Sequence, residues 1–392
     1  MNKEANSAQT RMPSPLIVFS HDAHDARFHK RMKMFSDMGF SVSWLAFDRG
    51  RDTDLAEEIL RRFPGRMLGK KRDKAYFGRA ADLAQAVAKL LAWGSLTSAP
   101  SLIYCINLDN LLATVLAKAL GRLPCRIVYE VADIQSILLR PDAVGRSLRA
   151  VERWCLKRTD LVVYTSEHYM THFLGPVQHC AAPTCLLENK IYPASSLPLR
   201  AVSVSRPKEG PIVVGLFGQL KCRRSFEMIR RLAAAFPRKL RFVLRGYPNH
   251  DARALFDAVV AGTPNVTYGG PYLYPDDLAA LYAEVDLCWG FDFCSPGLNS
   301  SWCLANRLYE AGYFGVPILV EADTAGGEFV QRLGSGWVFP LPLEASLEAF
   351  FSRISPAEIR DKRDHTARLE ASAFVLDTDL PGLRDAFLSL AA

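Results

Sequence analysis

The chain has 392 residues, too many for one ordinary core and enough for two domains of roughly 150–200 residues each. Hydrophobic residues make up 49% and charged residues 23%, a globular balance that excludes a disordered or fibrous chain, and no apolar run approaches the roughly 20 residues of a membrane helix. The net charge of +7 leaves anionic partners open, while nine cysteines, an odd number with no CxxC pair, point to reduced thiols in the cytoplasm.

The first fifteen residues are polar and lack the apolar stretch of a signal peptide. Residues 16–20 form an apolar run that ends in the polar loop His21 to Asp25. A helical pattern follows through Phe28, Met32, Met34, Phe35 and Met38, stopped by Gly39, and residues 41–47 read as a second strand. Between Arg61 and Arg79 stand Arg61, Arg62, Arg66, Lys70, Lys71, Arg72, Lys74 and Arg79 against Asp73 alone. Phe63, Met67, Leu68, Tyr76 and Phe77 are interleaved with them. This mixture suits an anionic membrane surface, where each basic residue contributes about 1 kcal/mol. A solvated loop and helix face is the plain alternative. Nucleic acid is the other, and no recognised binding motif accompanies the segment.

Further strands are expected near 102–106, 126–131 and 161–165, with helices near 78–93, 109–120 and 143–158 between them. Short buried strands alternating with helices define a parallel sheet covered on both faces. The run Val128 to Ile134 breaks at two carboxylates, Glu130 and Asp133, at a strand end where active sites of wound folds collect. Asp133 there suits proton abstraction from a sugar hydroxyl, and the same residue also reads as a helix N-cap. Residues 190–210, with Pro193, Pro198 and Pro207, resemble an interdomain linker.

The rhythm restarts at Ile212, with strands near 212–217, 240–245, 265–268, 285–289 and 317–320. Helices are expected near 224–236, 251–261, 275–284 and 303–315. In the segment Val213 to Ser225, a strand gives way to Gly218 and then to Lys221, Arg223 and Arg224 just before a helix. Gly218 permits close backbone approach, while the cations and the helix N-terminus can neutralise a diphosphate. Neither a Walker loop nor GxGxxG occurs, which argues against P-loop and dehydrogenase readings. Tyr272 lies among aromatics around the Gly270–Pro271 turn, a setting for stacking on a flat base, although Asp276 or Asp277 also marks a simple turn and helix cap.

Asn306, Arg307 and Glu310 open an amphipathic helix that Gly315 closes before the apolar run after Pro317. An amide, a cation and a carboxylate at one helix start can hold a phosphate and a ribose diol together. A solvated helix start beside a buried sheet is the plain alternative. No metal ligand set emerges. His21, Asp22, His24 and Asp25, the pair His168 and His172, and the Asp-x-Asp pairs 52/54 and 377/379 all lack the spacing or context a metal site needs.

Together these pieces resemble bacterial GT-B glycosyltransferases of exopolysaccharide assembly, of the succinoglycan and xanthan type. The resemblance runs from the first strand to about Phe339 and is sharper at 212–225 and 266–320. It implies an α/β fold of two doubly wound, Rossmann-like domains facing a central cleft. The acceptor domain would span 1–190, a linker 191–210, the nucleotide-sugar domain 211–345, and helices packing across the junction 346–392. By the same resemblance, Asp133 matches the family's base after Val-Tyr-x-x-x-Asp, and Arg307 stands where the family has a lysine. Glu310 would contact the ribose, and Gly218, Lys221 and Arg224 the diphosphate.

Many retaining members carry a second glutamate eight residues before the Glu310 position, and this chain has Trp302 there. Inversion is therefore expected. The implied activity is metal-independent and cofactor-free transfer of a hexose from a UDP-sugar. Its acceptor would be a polyprenyl-diphosphate-linked saccharide at the cytoplasmic membrane face, with no nucleic-acid partner. A catalytically silent GT-B scaffold and a UDP-sugar epimerase of similar fold are the rival expectations.

Overall fold

Two runs of short, almost wholly apolar strands build two separate parallel sheets in the computed structural model. It describes residues 14–48, 60–70, 76–96, 100–121, 123–193, 210–376 and 381–391. The first sheet contains β1 (Pro15–Ser20), β2 (Ser41–Asp48), β3 (Gly65–Lys70), β4 (Leu102–Ile106), β5 (Arg126–Val131), β6 (Leu161–Tyr164) and β7 (Thr184–Leu186). Their spatial order is β3-β2-β1-β4-β5-β6-β7, and every pairing is parallel. Helices α1 (Ala26–Asp37), α2 (Tyr76–Leu96), α3 (Leu108–Ala119) and α4 (Ala143–Leu156) connect these strands. β4 is buried along its whole length, as a strand covered on both faces must be.

The second sheet is likewise all parallel, in the order β10-β9-β8-β11-β12-β13. Its strands are β8 (Ile212–Leu220), β9 (Leu240–Pro248), β10 (Val266–Tyr268), β11 (Leu287–Trp289), β12 (Ile318–Glu321) and β13 (Gly336–Phe339). The helices that wind it are α5 (Arg223–Ala235), α6 (Arg253–Gly262), α7 (Leu278–Ala283), α8 (Asn306–Tyr313) and α9 (Ala325–Leu333). Strand order reverses between β1 and β4 in one sheet and between β8 and β11 in the other. These are the two points where a wound sheet opens a crevice beyond its strand ends.

The C-terminal helices divide between the domains. α10 (Leu343–Arg353) and α11 (Pro356–Arg368) pack on the second domain, where Phe350, Phe351 and Ile359 enter its core. Only α12 (Pro381–Ala391) returns to the first domain, with Phe387 set against Phe35 at 5.0 Å and Tyr104 at 6.0 Å between ring centroids. Each such fully buried aromatic contributes about 1.5–3 kcal/mol relative to exposure. The expected linker begins as an ordered crossing: Ile191 donates to the Phe374 carbonyl at 3.0 Å and accepts from Leu376 at 2.8 Å. Most of that linker, residues 194–209, lies outside the described residues.

Strands β3, β7 and β13 were not expected. β3 falls in the basic segment, where only Leu68 is buried and Met67 is partly exposed. It is a short edge strand carrying Arg66 and Lys70, a composition that blunts strand-to-strand aggregation. The guanidinium of Arg66 lies 5.5 Å over the ring of Trp93. Lys71, Arg72 and Lys74 of the basic segment lie outside the described residues, as do Asp52, Asp54, Asp377 and Asp379. Among the described residues, no helix is long and apolar enough to cross a membrane.

Candidate active site

The carboxyl ends of both sheets face one cleft of about 310 Å³, lined from the first domain by Asp25, Arg27 and Asp133 and from the second by Gly218, Lys221, Tyr272, Arg307 and Glu310. Asp133 follows β5 in an extended stretch. The next helical turn starts at Ser136 with Gln135 before it, so Asp133 caps no helix. Its carboxylate is 57% exposed to the cleft and lies 3.9 Å from Nη1 of Arg27. The neighbouring Ile134 amide donates to Asn299 Oδ1 at 2.9 Å, a bond from the second domain that fixes this backbone.

Arg27 comes from the first turn of α1, whose N-cap is Asp25. Burial works against its charge, and Asp25, Asp133 and Glu130 together outweigh it and raise the pKa. The Arg27 Nε is buried without a hydrogen-bond partner, so the guanidinium keeps donor capacity. Glu130 has no such freedom. Arg31 donates to both of its oxygens, at 3.2 and 2.7 Å, and both side chains are fully buried. Burial alone would raise the Glu130 pKa, yet Arg31 holds it below the usual carboxylate range. Glu130 is a locked ion pair.

In the second domain a glycine near the end of β8 lies at the cleft. Gly218 has φ +107° and pairs with Gly246 at φ +126°, a region that favours glycine. A Cβ on Gly246 would lie 1.9 Å from the Gly218 carbonyl, so the two backbones press together at the cleft rim. Lys221 follows directly, with its Nζ 3.9 Å from Asp292 Oδ2. Burial works against the Lys221 charge, but Asp292 and Cys294 overcome it and raise the pKa. Arg224 goes elsewhere. It pairs with Glu344 of α10 at 3.2 Å and lies 4.6 Å over the Phe293 ring, and it does not line the cleft.

The expected helix over 303–315 starts later, at Asn306, because Cys303 to Ala305 are extended. That break puts Asn306 and Arg307 in the first turn of α8. The Arg307 guanidinium reaches the carbonyls of Phe217 and Phe291 only at 3.5 Å each, and its Nε is buried with no partner. Its remaining N–H groups are available to an anion. The Asn306 side-chain carbonyl is not free in this way, since it accepts from Asn189 Nδ2 across the domain junction. Asn306 therefore ties the domains together through its carbonyl oxygen, while the residue lines the cleft beside Arg307.

Glu310 is buried behind Arg307 and accepts from the Tyr282 hydroxyl at 2.9 Å. Burial raises its pKa, opposed by Lys30, the Tyr282 hydrogen bond and Arg307. Lys30 reaches towards it from α1 of the other domain and donates to Asn189 Oδ1 at 2.7 Å and to the Asn189 carbonyl at 3.0 Å. Burial, with help from Arg31, pulls the Lys30 pKa down to about 7, against the pull of Glu310. Tyr272 is half-buried at the cleft wall, its hydroxyl about 4.0 Å from where a Gly218 Cβ would sit. Burial, with Glu310, pushes its phenol well above the usual range. The Tyr274 hydroxyl beside it is buried without a partner.

Trp302, where a second carboxylate would be expected of a retaining enzyme, stacks on His172 of the first domain at 5.4 Å, and its carbonyl accepts from Ser166 Oγ at 2.6 Å. An interdomain aromatic contact occupies that position. His21 and His24 are each 3.8 Å from a carboxylate, and His168 is 2.9 Å from Glu328. None of these pairs assembles a metal site. Sequence reasoning passed over Arg27, Lys30, Asn189 and Asp292. The one signal for Arg27 and Lys30 was a basic run inside an apolar helical pattern, which by itself marks a solvated face.

Two facing, doubly wound parallel domains with one cleft at their strand ends define the GT-B glycosyltransferase class. No protein-family model matches the chain. It is 30% identical over 375 residues to the succinoglycan biosynthesis protein ExoL of Rhizobium meliloti, covering 94% of this chain and 92% of that protein. The chain belongs to the ExoL family. Solved structures share the fold at low identity. The sucrose-phosphate synthase of Thermosynechococcus elongatus superposes with a TM-score of 0.72 at 15% identity, over 97% of this chain and 100% of its own. Anabaena HepE in complex with UDP and glucose gives 0.69 at 16% identity, over 95% and 99%.

Proposed function

We propose that this protein transfers a sugar from a UDP-sugar to a lipid-linked saccharide during exopolysaccharide assembly, with inversion and without a metal in the reaction. The observation that carries the reading is that Asp133 and the cations Lys221 and Arg307 face one another across a single interdomain cleft. The ExoL relative is a succinoglycan biosynthesis protein, and the HepE structure holds UDP, which supports this choice of donor and pathway class.

In this mechanism the second domain binds the donor. Lys221, Arg307 and the first turns of α5 and α8 receive the diphosphate, Glu310 accepts the ribose hydroxyls, and Tyr272 borders the base. The first domain presents the acceptor. Asp133 takes the proton of the acceptor hydroxyl as its oxygen bonds to the anomeric carbon. The bond from that carbon to the diphosphate oxygen breaks, and UDP leaves with the electron pair. Preorganised cations at the departing oxygen stabilise the developing charge, and removal of one preorganised oxyanion-hole donor, which costs about 2.7–4 kcal/mol, sets the scale. With Trp302 in place of a second carboxylate, a single displacement accounts for the residues present. The basic edge around β3, with Arg66, Met67 and Lys70, would hold the first domain against the cytoplasmic face of an anionic membrane.

A thermal-shift panel of nucleotides and nucleotide-sugars tests the donor assignment. UDP at 100 times its Kd should stabilise the chelator-treated protein by about 2.7 kcal/mol. Stabilisation by purine nucleotides in place of UDP would overturn it.

A further inference from the structure

Two cysteines and a carboxylate that lie about 70 residues apart in the chain meet beside the cleft. Cys222 Sγ, an Asp292 carboxylate oxygen and Cys294 Sγ all lie within 4.8 Å of one another. Cys222 is the residue between Lys221 and the first turn of α5, whereas Asp292 and Cys294 belong to the loop after β11. The cluster is held in place from outside. The Phe293 amide donates to Cys222 Sγ at 3.4 Å, the Cys294 amide donates to Asp292 Oδ1 at 2.9 Å, and Ser300 Oγ donates to the same oxygen at 3.3 Å. Lys221 Nζ is 3.9 Å from the other Asp292 oxygen. Cys294 is exposed, so one side of the cluster opens to solvent.

The donor set decides the ion. Two sulfurs and one carboxylate oxygen suit a borderline-soft, tetrahedral divalent ion and not the all-oxygen preference of magnesium or calcium. Metal–sulfur bonds of about 2.3 Å in a tetrahedron place the two sulfurs roughly 3.8 Å apart. The loops therefore need to close by no more than about an ångström from the observed ceiling. Hydrogen bonds from Phe293 and Ser300 to the ligating atoms are the outer-shell support that such sites use.

We propose that Cys222, Asp292 and Cys294 bind a divalent cation of the zinc class, with a fourth position open to water. Each thiol gives its proton to solvent as its sulfur–metal bond forms. The ion takes no part in sugar transfer. It ties the loop after β8, which carries Lys221, to the loop after β11, whose Phe291 carbonyl lies beside Arg307. It also draws Asp292 away from Lys221, leaving that ammonium to a bound anion. Sequence spacing conceals the site, because Cys222 stands about 70 residues from Asp292 and Cys294 and no CxxC motif announces it.

The test uses the full chain, freed of metal and kept reduced by a phosphine, and titrates it with cobalt(II) and then zinc(II). One equivalent of cobalt should give sulfur-to-metal charge-transfer absorption and the visible bands of a tetrahedral ion, and zinc should bleach both. Cys222→Ser and Cys294→Ser should each weaken binding at least about tenfold and diminish the sulfur band, since each deletes one ligand. Asp292→Asn should keep the band with weaker binding, and Cys180→Ser, in the other domain, should change nothing. Cys294 is exposed, so its serine variant tests the site without threatening the core. Absence of sulfur-to-cobalt absorption in the parent protein, or its full retention in Cys294→Ser, overturns the proposal. This readout needs neither donor nor acceptor and stands apart from the transferase reading.

Discussion

Replacing Glu310 by Gln probes the donor site at the point where its geometry makes the narrowest demand. The carboxylate is buried and spends one acceptor position on the Tyr282 hydroxyl at 2.9 Å. An ionised carboxylate offers about four such positions, which leaves room for both hydroxyls of a ribose. Glutamine keeps the shape and an oxygen for Tyr282 but replaces one acceptor oxygen by a donor and removes the charge that Lys30 and Arg307 face. A hydrogen bond to a charged acceptor contributes about 1.5–3 kcal/mol, so UDP affinity should fall roughly 10- to 150-fold.

The loss should be confined to the sugar hydroxyls. Calorimetric titration at pH 8 with UDP and with 2′,3′-dideoxy-UDP separates the two contributions in a double-mutant cycle. The parent protein should prefer UDP by at least tenfold, and Glu310→Gln should lose most of that preference while binding the dideoxy analogue nearly as the parent does. Equal preference for UDP in both proteins would refute the ribose assignment, and the Glu310 carboxylate would then serve only the Tyr282–Lys30 packing.

Other outcomes follow from the same geometry. Arg307→Ala should weaken UDP by tenfold or more. Arg224→Ala, which breaks a partly exposed pair with Glu344 and the contact with the Phe293 ring, should leave UDP affinity unchanged and cost about 0.5–2 kcal/mol of stability; isothermal titration and urea unfolding check both. Lys30 releases its proton at about 7 in the folded protein and near 10.5 when unfolded, so the unfolded chain binds more protons between those values. Stability should therefore gain up to about 1.4 kcal/mol per pH unit across that window from this group. Lys30→Met should flatten the difference in urea stability between pH 7 and pH 9, and an unchanged slope would remove Lys30 as its source. Gln at Lys70, Lys71, Arg72 and Lys74 should release the protein from anionic vesicles in co-sedimentation without altering UDP affinity. Binding by the parent should itself fall as screening lengths shrink from about 10 Å at 0.1 M salt to about 3 Å at 1 M.

Much of this architecture is legible from residue pattern because parallel strands buried on both faces read as short continuous apolar runs, as in Leu102–Ile106 and Ile212–Leu216. Edge strands escape that signal. β3 has one buried residue and two basic ones, and β13 opens on a glycine, so neither shows the apolar run of a central strand. At the site, Gly218, Lys221, Arg307 and Glu310 sit where a strand-to-loop or loop-to-helix break is visible in sequence, and the fold brings all four to the cleft.

Local pattern does not reveal which of several adjacent cations turns inward. Lys221 stays at the cleft, whereas Arg224, one turn into α5, is claimed by Glu344 from α10. Asn306 lines the cleft, but its partner Asn189 comes from the other domain and no local pattern announces that bond. The candidates Glu130 and Asp133 differ by three positions in sequence, yet one is sealed against Arg31 and the other opens to the cleft.

Transfer itself is the direct test of the central claim. Radiolabelled UDP-sugars, supplied one at a time with polyprenyl-diphosphate-linked saccharides extracted from an exopolysaccharide-producing membrane, are followed into the lipid fraction with parent protein and Asp133→Asn side by side. The account predicts that one donor labels the lipid. Asp133→Asn should lower the rate by about 10²–10⁴-fold, the usual contribution of a general base, while UDP affinity stays within twofold. Labelling by Asp133→Asn at a rate within about threefold of the parent, or UDP binding with no transfer from any donor, would contradict it.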